Sequence, residues 1–158
     1  MTQEIIERLG LEPHPEGGWL KRTYESSLAA DVEGCLRPLG TAAYYYLQSS
    51  EYSSWHRISS DEMLHYYEGS SVTVHMLDTE GNMSHVVLGK LSFTARPQVL
   101  VPAGTWFALE VDCQNSYTLL GCTVTPGFSF DDFELAGKKL AEEYPQHRDI
   151  ILRLIREK

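Results

Sequence analysis

The sequence predicts an all-β barrel or sandwich with a short helix at each end. Three observations carry this. Strand-like runs recur at about 8–12-residue spacing. Gly-, Pro-, Asn- and Asp-rich turns separate them. Helical periodicity is confined to the two ends of the chain. The 158 residues are read as one domain spanning 1–158, long enough for its own core.

Residues 2–9 read as a helix: Thr2 caps it, Ile5 and Leu9 share a face, and Gly10 ends it. Residues 11–19 carry Pro13, Pro15, Gly17 and Gly18, which exclude regular structure and specify a shaped loop. Glu16 followed by Gly17-Gly18 lets backbone approach a neighbour closely, which suits a pocket wall or lid and equally a loop that only packs an edge strand. Residues 26–40 read as a polar loop. Residues 41–48 form a Tyr-rich strand, with Tyr44, Tyr46 and Gln48 on one face and Ala43, Tyr45 and Leu47 on the other.

The stretch from Trp55 to Gly69 reads as strand, polar turn at Ser59-Ser60-Asp61, and strand, a turn that would pair the two strands and let His56 meet Glu62. Period-two counting puts His56 and Ile58 on one face and Arg57 on the other. Glu62, Leu64 and Tyr66 share a face, with His65 and Tyr67 opposite. Residues 72–77 and 84–88 form a hairpin around Asp78-Thr79-Glu80-Gly81-Asn82. A strand at 98–101 ends in Pro102-Ala103-Gly104, and 106–111 alternates with Phe107, Leu109 and Val111 on one face. Residues 117–124 read as a strand buried on both faces or at a subunit interface. Phe128, Phe130 and Phe133 are expected to pin the C-terminal arm to the barrel. Residues 145–157 read as an amphipathic helix with Ile151, Leu154 and Ile155 on its apolar stripe.

A hydrophobic fraction of 42% argues against global disorder. A net charge of −9 argues against a nucleic-acid partner, because phosphate binding needs a basic face. Arg22, Arg57 and Arg96 leave room for a local basic pocket. Three cysteines without zinc-type spacing read as free thiols in a reducing cytoplasm. No signal peptide is visible, and no apolar run reaches the roughly 18 residues that cross a bilayer.

Several of these motifs, in order, resemble one family. His56, Glu62 and Gly69 fall at the spacing of the first cupin motif, with Ile58 where its second His stands. Pro102 and Gly104 fit the second motif, with Phe107 in place of its last ligand. The loop Leu11-Glu12-Pro13-His14-Pro15-Glu16-Gly17-Gly18, together with His65-Tyr66-Tyr67, Arg96-Pro97-Gln98 and Pro126-Gly127-Phe128, is similar to the type-5 cupins, small proteins of unassigned function. The resemblance implies a double-stranded β-helix (jelly-roll) cupin barrel, a pocket inside it and a homodimer.

Metal sites with catalytic roles usually offer about three protein ligands. His56 and Glu62 are the metal candidates left, and Ile58 and Phe107 have no lone pair to give. No metal cofactor is therefore expected unless His65, His75 or His14 completes the set. The leading expectation is a cytoplasmic cupin that binds a small polar metabolite, sugar or nucleotide-sugar-like. It has no membrane partner. If it is an enzyme, a metal-free isomerase or epimerase mechanism fits: His56 as base, Glu62 as orienter or second acid, and Tyr46, Tyr44 or Tyr66 as acid. Tyr44, Tyr66, Phe107, Glu16, Arg57 and His65 are the candidate ligand contacts. A binding cupin without catalysis is the alternative, and a metal-dependent cupin enzyme is disfavoured by the two missing ligands.

Overall fold

A computed structural model describes residues 2–156. Three helices, α1 (Thr2–Leu9), α2 (Lys139–Glu143) and α3 (Arg148–Arg153), flank the strands. The strands are β1 (Glu12–Pro13), β2 (Trp19–Glu25), β3 (Ala29–Val32), β4 (Cys35–Pro38), β5 (Thr41–Gln48), β6 (Tyr52–Arg57) and β7 (Asp61–Gly69). They continue with β8 (Val72–Leu77), β9 (Met83–Leu88), β10 (Ala95–Arg96), β11 (Gln98–Val101), β12 (Trp106–Val111), β13 (Tyr117–Thr125) and β14 (Glu134–Leu135).

Twelve strands form two six-stranded sheets, in the orders β1-β2-β5-β13-β7-β11 and β10-β9-β8-β12-β6-β14. All neighbours are antiparallel except β9 and β10. This is the jelly-roll barrel that the motifs implied. Inward residues of both sheets, among them Tyr45, Leu64, Val74, Val99, Phe107, Leu109 and Leu120, form the main core. A second core lies on the outer face of the second sheet. There Trp55, Trp106 and Ala108 are covered by Leu140, Ala141, Ile151 and Leu154 of the C-terminal arm, and the Trp55 indole N–H donates to the Ile150 carbonyl at 3.3 Å. No helix among the described residues is long and apolar enough to cross a membrane.

Three readings of the sequence are corrected. Residues 26–40 are not a loop: β3 and β4 form a hairpin. Glu33 and Gly34 at its tip both take positive φ, 51° and 83°, and the Gly34 N–H donates to Asp31 Oδ1 at 3.0 Å. That geometry suits a tight hairpin, but Glu-Gly is a weaker signal for it than Asn-Gly. The C-terminal helix is not continuous from Pro145. A separate α2 precedes it, a 3-10 turn occupies Pro145–His147, and α3 spans six residues. Proline has no N–H with which to extend α2. The expected cap by the Thr2 side chain and the helix end at Glu157 lie outside what is described.

The third correction bears on the site. β6 and β7 are not a paired hairpin. β6 pairs with β12 and β14, whereas β7 pairs with β11 and β13. The turn at residues 58–60 is a corner that carries the chain from one sheet to the other. His56 and Glu62 thus rise from opposite walls.

Candidate functional site

Between the two sheets lies a cavity of about 410 Å³. Its walls follow from strand alternation. β5 gives Ala43 and Tyr45, β13 gives Cys122 and Val124, and β7 gives Glu62 and Leu64. β6 and β12 face them with His56, Phe107 and Leu109, and Ile58 follows β6 at the corner. The loop between β1 and β2 closes one side with His14, Pro15 and Glu16, and Phe128, Phe130 and Phe133 form an aromatic rim.

Glu16 is the polar centre. The loop is pinned by the Ser54 N–H, which donates to the Glu16 carbonyl at 2.7 Å, and by the Tyr45 hydroxyl, which donates to the Gly17 carbonyl at 2.7 Å. Glycine is required at both following positions. Gly17 and Gly18 have φ of 112° and 67°, and a Cβ on Gly17 would sit 2.3 Å from the Tyr52 carbonyl oxygen. The buried Glu16 carboxylate accepts from Ser53 Oγ at 3.0 Å, faces His56 Nε2 at 3.0 Å, and has His14 Nδ1 at 3.4 Å. Burial pushes its pKa up, but the attraction of His56 and the hydrogen bonds from His14 and Ser53 outweigh that and hold it below the ordinary value.

His56 uses both ring nitrogens. Nδ1 stands 2.7 Å from the Ser54 carbonyl, which can only accept, so Nδ1 carries a hydrogen. Nε2 faces the Glu16 carboxylate at 3.0 Å, so both ring nitrogens are engaged. Burial lowers the His56 pKa, and the Glu16 charge opposes it. The ring packs against Phe107 with centroids 4.0 Å apart.

Glu62 differs from Glu16. It is buried on the β7 wall, and its carboxyl interacts with the Cys122 thiol. Burial, and then the Glu16 charge, push its pKa up to about 8, with the Cys122 hydrogen bond opposing. At neutral pH the cavity therefore holds one ionised carboxylate, Glu16, and one protonated acid, Glu62.

The sequence-derived candidates divide. His56, Glu62, Glu16 and Phe107 converge on the cavity, and Glu62 and Phe107 point inward as expected. His56 is not placed as a free base, because neither nitrogen is left over. Glu62 does not orient it; Glu16 does. Tyr46 and Tyr44 lie on the other face of β5: Tyr46 stacks on Tyr117 at 5.4 Å, and Tyr44 meets Tyr67 edge-on at 6.1 Å. Tyr45 is the tyrosine that lines the cavity. Tyr66 packs beneath it against the main core and donates to the Gly69 carbonyl at 2.6 Å. Arg57 lies outside the barrel, over Trp106 at 4.4 Å and bonded to Glu134 at 2.7 Å. His65 faces outward, held by Thr123 and by Gln98 at 3.0 Å. His75 is in the second sheet against Glu110 and His85, each at 2.7 Å, away from the cavity. The sequence reading missed Tyr45 and the phenylalanine rim as pocket residues. Parity had already put Tyr45 opposite Tyr44 and Tyr46, but it does not say which face looks inward.

Residues 3–136 match the family described as Cupin superfamily (DUF985). The chain belongs to this family. Comparison with curated proteins gives no match. Two solved structures are similar along essentially the whole chain. Protein SO0799 from Shewanella oneidensis is 38% identical at a TM-score of 0.90, covering 99% of this chain and 98% of its own. A hypothetical protein from Leishmania major is 31% identical at 0.93, covering 99% of each chain. Oxalate decarboxylase from Bacillus subtilis, 12% identical at 0.59, covers 92% of this chain and 37% of its own, a likeness of fold alone.

Cupin barrels are known for metal centres held by side chains of the two motifs. At the two motif positions where ligands would stand, Ile58 and Phe107 have no donor atom, and both nitrogens of His56 are engaged. Among the described residues no group of three or more His, Cys, Asp or Glu is placed to hold a metal ion. Ile58 and Phe107 thus supply no ligand at the two motif positions.

Proposed function

We propose that this cupin binds a small polar metabolite in the barrel cavity and moves a proton on a carbon next to a carbonyl, as isomerases and epimerases of sugars or nucleotide sugars do. The observation that carries this is that Glu16, on the loop after β1, and Glu62, on β7, line one cavity. On Glu16, Ser53, His56 and His14 come within 3.0, 3.0 and 3.4 Å, and the Tyr45 hydroxyl is a further neighbour of the carboxylate. Glu16 takes the proton from carbon, and the electron pair moves onto the carbonyl oxygen. The protonated Glu62 donates to that oxygen. His56 is then a positioning residue: its Nε2, 3.0 Å away, holds the carboxylate in place. These roles exchange His56 for Glu16 relative to the expectation from sequence, and they replace a tyrosine acid with Glu62.

The test is a thermal-shift screen against keto-sugars, nucleotide sugars and small carboxylates, followed by proton NMR of each hit in heavy water. Loss of the α-proton signal with the wild-type chain and not with Glu16→Gln supports the assignment. Equal exchange rates for the two proteins would remove Glu16 as base. The engagement of both His56 nitrogens favours a second reading, ligand binding without catalysis, in which hits raise the melting temperature and no proton exchanges. We place the protein in the cytoplasm, a reading supported by three free thiols, and propose a homodimer. Exposed Tyr67 and Leu100 on the outer face of the first sheet support the dimer; a monomer mass by sedimentation would remove it.

A further inference from the structure

The buried part of the cavity has few polar groups to offer. Besides Glu16, Glu62 and His56 there are the Cys122 thiol, the Thr41 hydroxyl, which accepts from the Phe128 N–H at 2.9 Å, the Tyr45 hydroxyl, which donates to the Gly17 carbonyl, and the His14 ring, which faces Glu16. Glu12, Lys21 and Arg22 also line it, but from exposed positions on β1 and β2, and Arg22 is bonded to Glu25 and to the Phe128 carbonyl. The remaining inner wall is Ile58, Leu64, Phe107, Leu109 and Val124, none of which can donate or accept. A ligand with hydroxyls on every side would leave most of them unpaired here, and each buried, unpaired hydroxyl is costly. The rim adds a second, independent feature. Phe128, Phe130 and Phe133 meet edge-to-face with centroids 5.0, 5.9 and 6.2 Å apart, His14 stacks on Phe130 at 5.9 Å, and Phe130 is 60% exposed although it lines the cavity. An aromatic ring left bare at a cavity mouth is a surface for an apolar or planar group.

We infer that the ligand is a carbonyl compound bearing an aliphatic or aromatic substituent, with the carbonyl between Glu16 and Glu62 and the substituent against the phenylalanine rim. The carbonyl half of this rests on the proton-transfer reading; the apolar half rests on the walls and the rim. It narrows the sugar-like expectation to compounds with one compact polar end.

Two ketones that differ only at that substituent test it: phenylacetone and hydroxyacetone, titrated calorimetrically into the full chain. Phenylacetone binds one-to-one and at least about tenfold more tightly than hydroxyacetone. Phe130→Ala, at an exposed position where the fold does not depend on the ring, weakens it by about threefold or more. Hydroxyacetone binding equally or better overturns the inference, as does no phenylacetone binding, or Phe130→Ala and Phe133→Ala both without effect. Deuterium exchange at the phenylacetone methylene in the same samples separates the two readings. Tight binding with no exchange supports the ligand class and overturns the proton transfer.

Discussion

Glu62→Gln isolates the protonated acid. In the folded chain the Glu62 carboxyl titrates at about 8, against an ordinary value of 4.5. At about 1.4 kcal/mol per pH unit that gap corresponds to about 5 kcal/mol. The sign follows from proton counts. Below the ordinary value both states hold the proton and pH has no effect. Between the two values the unfolded chain has lost it while the folded chain keeps it, so stability falls as pH rises. Above the folded value both are ionised and the loss is complete. From about pH 5 to about pH 8 the wild type should lose about 3–4 kcal/mol through this one group. Glutamine is nearly isosteric and stays neutral, so every other titration cancels in the difference between the two proteins. Urea unfolding of both at intervals from about pH 5 to about pH 9 measures it. The variant should gain on the wild type steadily and level off above about pH 9. A difference constant across that range would show Glu62 ionised in the fold, and the acid assignment would fall with it.

Other substitutions probe the neighbouring contacts. Glu16→Gln leaves the His56 pair broken in a buried site, and the expected loss is about 3–5 kcal/mol of unfolding free energy. A loss below about 1 kcal/mol would mean the contact contributes nothing in solution. Gly18→Ala puts a Cβ 2.7 Å from the Tyr46 carbonyl oxygen at a φ of 67°; thermal melts should show at least about 2 kcal/mol of destabilisation, and an unchanged melting temperature would show that the loop moves freely. Arg57→Ala removes an exposed ion pair and a stacking contact worth about 1 kcal/mol. Ligand affinity should not change, and a tenfold loss would return Arg57 to the pocket.

The sequence by itself determined the class of fold and most of its elements. Strands at β5, β8, β11 and β12 follow from alternation and turn residues, which act locally and so are visible in a single chain. The inward direction of Glu62 and Phe107 was legible from motif register, and the close approach at Gly17-Gly18 from the absence of side chains. Free energies that depend on distant partners were not legible. The β3–β4 hairpin has a tip without a strong turn signature, and the break before α3 follows from a proline whose effect competes with helical periodicity on both sides. The site shows the same division. Sequence named Glu16, His56 and Glu62, but which of them meet was decided by which groups came to lie within hydrogen-bond distance. The corner at residues 58–60 moves β7 into the other sheet, which sets Glu62 across the cavity from His56. The loop after β1 folds back onto β6 and brings Glu16 forty positions away in sequence to within 3.0 Å of the His56 ring. Period-two counting separates Tyr45 from Tyr44 and Tyr46 but is symmetric between faces. Only the packing of one sheet on the other breaks that symmetry, and it turned Tyr45 toward the cavity.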